Sequence, residues 1–494
     1  MYSNSNERED YMKKFFKLLT LVAFSILTVI GVSVGAGAAS DSGNWIAAWG
    51  TAPTDISVMD NNNIAAVVKD ITCRTVITPT ASGKKVRIKF SNYYGESPLT
   101  ITSATVAKAK QISVIPDDAT SEVLTDTMKV VTFNNGNPSV TIPAGAEWYS
   151  DPINFEVDAL ENISISFYVK EFSEIRTMGL SGGTSFLSLG NGDQTKEKSF
   201  SLTQQIDPSI TNIINTIIGF DLDIALKYSF VRVVPCLATV DVLSESSSAY
   251  SAAVIGDSTI SNQFPLYLAE QINAEGVKDI GVMGKGIIGN MLLHEGLGYI
   301  GLVFGESMID RLTRDVLSQS GIKYVIIKIG ANDIMHPVCT DIQQQYPNIK
   351  QPSANDIING FIKVIDACHD AGKKAIVCSI TQWKGNTRAY FGTEAKYVRT
   401  EEEFQHDWQI AKDVNKWLAE TDRHDGFVDL NTVSANPIDP DAMLPEYTID
   451  GAHPSEILQE IWAQTFPLGL IGASDRVGSV YIRPLTVKLN VTKT

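Results

Sequence analysis

The hydrophobic rhythm of this chain changes near Ser244 to Ser248, and that change constrains the fold more than any other feature. Before it, apolar residues alternate. Val86, Ile88 and Phe90 share one face of KKVRIKFSN, and Ile163, Ile165, Phe167 and Val169 share one face of NISISFYVK. A period of two marks half-buried strands. Turn residues recur between such runs, as in Asn134-Asn135-Gly136-Asn137 and Pro143-Ala144-Gly145, and many short strands with such punctuation predict a β-sandwich. Pro208 to Phe220 breaks the pattern and reads as a short apolar helix, a segment more often core than lid.

After the serine-rich stretch SESSS, which reads as a linker, apolar runs alternate with amphipathic ones. Strands are expected at Ala252 to Ile255, Tyr324 to Ile329, Ala375 to Ile380 and Phe427 to Leu430. Helices are expected near Gln263 to Ala274, Ser307 to Gln319, Asp356 to Ala371 and Asp407 to Ala419. This is the pattern of parallel βαβ units. An open α/β sheet follows, with ligands at the carboxyl ends of its strands. Val480 to Val491 alternates again.

A length of 494 residues exceeds what one core usually supports. The expected division is a signal peptide over 1–38, a β-sandwich-like domain over 39–243, an α/β domain over 244–473 and a β-strand tail over 474–494. The signal is read from a basic start (Met12-Lys13-Lys14, Lys17), an apolar run from Leu18 to Val34 and a small-residue site at Ala36-Gly37-Ala38. The same run approaches the length of a membrane anchor, but Gly31, Gly35 and the alanines favour cleavage, so the chain is expected to be secreted, with no membrane association after removal of the signal. A net charge of -16 argues against nucleic acid as a partner, which needs clustered Lys and Arg. Five cysteines at irregular spacing make neither a disulfide framework nor a zinc pattern; Cys368 and Cys378 read as small buried hydrophobes.

Three segments carry candidate reactive groups, two of them at strand ends. Gly256-Asp257-Ser258 follows the first strand of the second half and precedes a helix, where a serine hydroxyl can act as a nucleophile and its own N–H can face a carbonyl oxygen. Taken alone, Gly-Asp-Ser is also a common turn. Of six histidines, His453 has the most suggestive surroundings, Asp450-Gly451-Ala452-His453-Pro454. An Asp three residues before a His can hold its Nδ1–H and leave Nε2 to take the serine proton; the alternative is an Asp that caps a helix beside an exposed His. His294 and His336 are lesser candidates. Gly330-Ala331-Asn332-Asp333 follows KYVIIKIG, so the Asn332 amide can donate to an oxyanion while Asp333 caps the next helix. Gly284-Lys285-Gly286-Ile287-Ile288-Gly289 matches G-x-G-x-x-G, but the glycines at 296, 298, 301 and 305 interrupt the helix a dinucleotide site needs. The competing reading has Gly289 donate its N–H to an oxyanion hole. Trp383 and Tyr390, in a long loop, are candidate sugar platforms, with loop packing as the alternative.

With these residues in hand, the chain resembles the SGNH (GDSL-like) hydrolases, named for Ser, Gly, Asn and His in four ordered blocks, here Ser258, Gly289, Asn332 and His453. VRIKFSNYYGESPLTITSATVA and IPAGAEWYSDPINFEV extend the likeness to a secreted bacterial subgroup with an N-terminal β-region, related to polysaccharide esterases. The resemblance implies a flavodoxin-like three-layer α/β/α domain, a catalytic triad of Ser258, Asp450 and His453, and an oxyanion hole of Ser258, Gly289 and Asn332. It implies no metal or organic cofactor, and an acylated small molecule or polysaccharide as substrate. Deacetylation of polysaccharide is the expected activity. The alternatives are lipolytic or aryl esterase action and a non-catalytic carbohydrate-binding role. Two departures stand out: Thr259 after the serine where an aliphatic residue is usual, and Gly284-Lys285 where an Asn-Ala-like pair is usual.

Overall fold

A computed structural model describes residues 44–56, 66–110, 120–199, 233–261, 263–274, 276–297, 301–386, 397 and 399–473. The signal-like segment 1–38, the apolar stretch 208–220, Tyr390 and the tail 474–494 lie outside the described residues.

The strand-rich first region contains β1 (Asn44–Gly50), β2 (Ile71–Ile77), β3 (Lys85–Asn92), β4 (Ser103–Lys108), β5 (Lys129–Val130), β6 (Ala146–Tyr149), β7 (Ile163–Val169), β8 (Gly183–Leu189) and β9 (Leu237–Ser244). They form two antiparallel sheets, ordered β1-β9-β3-β6 and β8-β2-β7-β4-β5. The alternating apolar faces meet between the sheets, where Phe90 of β3 and Phe167 of β7 pack edge to face at 5.9 Å. Strand pleat thus turns a period-two sequence into a sandwich core.

The second region contains β10 (Tyr250–Gly256), α1 (Phe264–Asn273), β11 (Ile280–Gly286), α2 (Met308–Leu312), β12 (Ile322–Lys328), α3 (Ala331–Met335), α4 (Ala354–Asp370), β13 (Lys374–Cys378), α5 (Glu401–Glu420), β14 (Gly426–Val428) and α6 (Glu456–Thr465). The sheet is parallel, in the order β11-β10-β12-β13-β14. Numbered within the sheet this is 2-1-3-4-5, the flavodoxin-like order, whose ligand crevice opens where the chain reverses direction beside the first strand. Both faces are covered. Ala253 and Ile255 face Phe361 of α4 and Trp408 of α5, while Ala252 and Val254 face Phe264 of α1 and Trp462 of α6.

Strand β11 and the start of α5 differ from expectation. The run IGVMGKG is diluted by glycines and a lysine, so it does not read as a strand. Its glycines answer close approaches: a Cβ on Gly281 would sit 2.3 Å from the Ala47 carbonyl, and one on Gly286 would sit 2.6 Å from Ser261 Cα. Helix α5 begins at Glu401, earlier than its apolar pattern suggests, because Thr400 and Glu403 close a reciprocal cap.

The two regions share a buried seam. Edge strand β11 lies against β1, and Thr80 Oγ1 accepts from Val282 N at 2.8 Å, blunting that edge. Ala47 N donates to Ser320 O and Ser251 Oγ donates to Ala47 O. The ammonium of Lys285 is buried and donates to Thr51 O, Ala238 O and Thr239 Oγ1 at 2.7, 2.9 and 3.3 Å. Burial pushes its pKa down to about 8. Among the described residues, no helix is long and apolar enough to cross a membrane.

Candidate active site

Ser258 sits in the turn after β10. Gly256, at the end of that strand, has room for nothing larger: a Cβ would meet the Lys328 carbonyl at 2.1 Å and Ile260 Cγ2 at 2.6 Å. Beneath the turn, Asp257 Oδ1 accepts from Thr259 N and Thr259 Oγ1 at 2.9 and 2.6 Å, and Lys328 Nζ donates to Thr259 Oγ1 at 2.6 Å. Thr259 is therefore a hydroxyl link between two buried charges. An aliphatic residue would leave Lys328 without that acceptor.

His453 comes from the loop before α6. Its Nε2 lies 2.8 Å from Ser258 Oγ and its Nδ1 lies 2.7 Å from Asp450 Oδ2. Asp450 does not cap α6, a role taken by Ser455. Its other oxygen, Oδ1, accepts from Ala452 N and His453 N at 3.0 and 2.8 Å. Burial opposes ionisation of Asp450, but the His453 ring and these N–H groups outweigh it and pull the carboxyl down to about 2. Thr448 Oγ1 donates to His453 O and accepts from Gly451 N. Gly451 adopts φ +92°, which glycine alone takes without strain.

Asn332 opens α3 after Gly330, whose φ is +118°. One of its amide hydrogens is given to Asn290 O at 2.9 Å. The second can serve a developing oxyanion. Gly289 adopts φ +69°, with its Cα against the Phe304 ring. Among the described residues, the N–H groups of Ser258 and Gly289 have no acceptor. Serine, imidazole and carboxylate in hydrogen-bonded series, beside N–H groups held ready, can carry out acyl transfer.

Asp333 departs from expectation: Gly330, not Asp333, stands at the N-cap of α3. Asp333 is buried and accepts from Leu292 N and Leu293 N at 2.8 and 2.9 Å, fastening the chain beyond Gly289. Burial, against those two N–H groups, pushes its pKa up to about 6. The remaining histidines lie outside this arrangement. His336 is buried with its ring 5.6 Å from that of Phe304, and burial pushes its pKa down to about 4. His294 and His406 are exposed, His369 pairs with Asp425 and His424 meets Leu418 O. Trp383 offers no sugar platform, being 1% exposed and packed at 5.0 Å on Trp408. Asn290 and Lys328 carried no sequence signal, since a lone Asn or a Lys within a strand matches no motif. Gly284 and Gly286 lie within β11, so G-x-G-x-x-G opens no helix here. Among the described residues, no cluster of His, Cys, Asp and Glu could hold a metal ion. All five cysteines are buried and none is joined in a disulfide.

Residues 235–466 match the sequence profile described as GDSL-like lipase/acylhydrolase. No curated protein matches the chain significantly. Solved structures similar to it include an acylhydrolase of Bacteroides fragilis (14% identity, 46% of this chain and 88% of that one, TM-score 0.32). A GDSL-like lipase of Bacteroides thetaiotaomicron is similar over 45% of this chain and 88% of its own, at 15% identity and TM-score 0.30. A variant of an acetyl xylan esterase from Geobacillus stearothermophilus is similar over 46% and 95%, at 20% identity and TM-score 0.32.

Proposed function

We propose, from the premise that residues 235–466 are a domain of the GDSL-like lipase/acylhydrolase family, that this chain is a secreted serine esterase that removes short acyl groups from a neutral polysaccharide. The observation that carries the chemistry is the series Ser258 Oγ, His453 Nε2, His453 Nδ1 and Asp450 Oδ2, with contacts of 2.8 and 2.7 Å. His453 takes the Ser258 proton as Oγ attacks the ester carbonyl. Asp450 fixes the ring and stabilises the imidazolium. The carbonyl oxygen, now negative, is met by the N–H groups of Ser258 and Gly289 and by the Asn332 amide. Collapse expels the alcohol, which takes its proton from His453, and water delivered through the same base releases the acid.

The substrate reading rests on the signal-like N-terminus and on a net charge of -16, which disfavours polyanions. The test is acetate release from acetylated neutral polysaccharides, alongside a series of synthetic esters of rising acyl length. Wild-type protein is expected to release acetate and to prefer acetyl over long acyl groups, and Ser258→Ala to lose at least about 1,000-fold in rate. A Ser258→Ala protein that matched wild type would exclude this mechanism. A preference for long acyl chains would overturn the polysaccharide reading while leaving the nucleophile in place.

A further inference from the structure

Arg311 lies on α2, away from every motif, yet its side chain is completely buried. Helix α2 is capped by Ser307 and continues as a widened turn over Thr313–Leu317, which brings Asp315 onto the guanidinium at 3.0 Å. Such turns recur at functional sites. The rest of the fork is spent on the reactive end of the sheet. Nη2 donates to Gly256 O at 3.0 Å, Nη1 to Lys285 O at 2.8 Å, and Nε to Asn290 Oδ1 at 3.0 Å. Gly256 is two residues before Ser258, and Lys285 is the penultimate residue of the neighbouring strand. Asn290 adjoins Gly289, and its carbonyl accepts from Asn332. One planar cation therefore touches the segments that carry Ser258 and Gly289, and reaches the Asn332 amide through Asn290.

Resting on the reading of Ser258 as nucleophile, we propose that Arg311 is a positioning residue that sets the mutual alignment of the Ser258, Gly289 and Asn332 donors. Stability alone is a poor account of it. A buried ion pair is repaid weakly, and an apolar side chain of similar volume serves packing about as well. What only the guanidinium provides is several N–H vectors fixed in one plane, aimed at two strand-end carbonyls and one side-chain amide. The same assembly extends outward. Asn290 Nδ2 donates to Phe304 O and Glu306 O, both at 2.8 Å. Glu306 pairs with Arg314, which stacks on Tyr93 of the β-region at 4.2 Å. The alignment is thus anchored on both sides of the seam.

The test compares wild type, Arg311→Lys and Asn290→Ala with 4-nitrophenyl acetate, counting functional sites by titration with a serine-directed phosphonate. A misplacement of about 1 Å costs roughly 100-fold in rate. Positioning therefore predicts a kcat per titrated site about 100-fold lower in Arg311→Lys, KM within about threefold of wild type, and an unchanged number of sites. A kcat per titrated site within twofold of wild type overturns the proposal, because loss of structure alone removes sites without slowing those that remain. Should Arg311→Lys fail to fold, Asn290→Ala, which cuts one arm of the fork without removing the buried charge, decides by the same criteria. If wild-type protein is not labelled by the phosphonate, the reading of Ser258 fails, an outcome distinct from failure at Arg311.

Discussion

Asp450 shows how much depends on single atoms. Its two oxygens do different work, Oδ2 meeting the imidazole and Oδ1 gathering two backbone N–H groups. With its carboxyl held down at about 2, it stays ionised through the acid range. Asp450→Asn keeps an acceptor for the loop but turns an N–H toward Nδ1 or misdirects the ring, so kcat is expected to fall roughly 1,000- to 10,000-fold with the fold intact. Steady-state kinetics with a thermal melt will check this. Burial opposes the ionisation of this carboxyl, so its depressed value reflects interactions that exist only in the folded state. The stability it contributes is complete above the unfolded carboxylate value of about 3.9 and fades as pH falls toward 2.

At the scale of elements, the short helix α3 and the turn that follows it carry two buried groups with opposite pH behaviour. Asp333 is raised to about 6, so between about 4 and 6 the folded state holds more protons than the unfolded one, and stability falls as pH rises. His336 is lowered to about 4, so between about 4 and 6.5 the unfolded state holds more protons, and stability rises with pH. The two slopes oppose each other over nearly the same window. Relative to wild type, Asp333→Asn is expected to lose stability more steeply on acidification from pH 6.5 to 4, and His336→Gln less steeply, as read from urea midpoints at several pH values. Parallel curves for all three proteins would contradict both assignments. Neither role was legible in the sequence, where Asp333 read as a helix cap and His336 as a lesser site candidate. What was legible were features with a period or a fixed spacing: the period-two strands, the amphipathic α1 and α4, and the Asp-x-x-His loop. Strand β11 escaped because its pattern is set by what touches it. Glycines meet Ala47 and Ser261, and a lysine meets carbonyls that come from far along the chain. Arg311 escaped for the same reason, since its partners lie on three other segments.

Taken as a whole, the molecule does not treat its β-region as an appendage. The described residues of the β-region and the α/β region belong to one compact unit, and the Lys285 ammonium finds its acceptors at Thr51, Ala238 and Thr239. A chain cut to residues 244–473 would strand that cation and open the edge of β11, so it is expected to lose cooperative unfolding and esterase activity. Circular dichroism melts and 4-nitrophenyl acetate hydrolysis will show it, and a soluble, fully active fragment would contradict this account of the seam. Strand β1 adds a matter of timing. Asn44 pairs with Ser244, and Ala47 receives the Ser251 hydroxyl, so the first described strand meets its sheet partner only after roughly 200 further residues have been made. Closing a loop of that length costs on the order of 5 kcal/mol of chain entropy before any contact repays it, and contacts so distant in sequence slow folding. The apolar segment WIAAW therefore waits for its sheet partner while those residues are made. An apolar strand exposed for that interval is a place where a newly made chain can pair with the wrong partner.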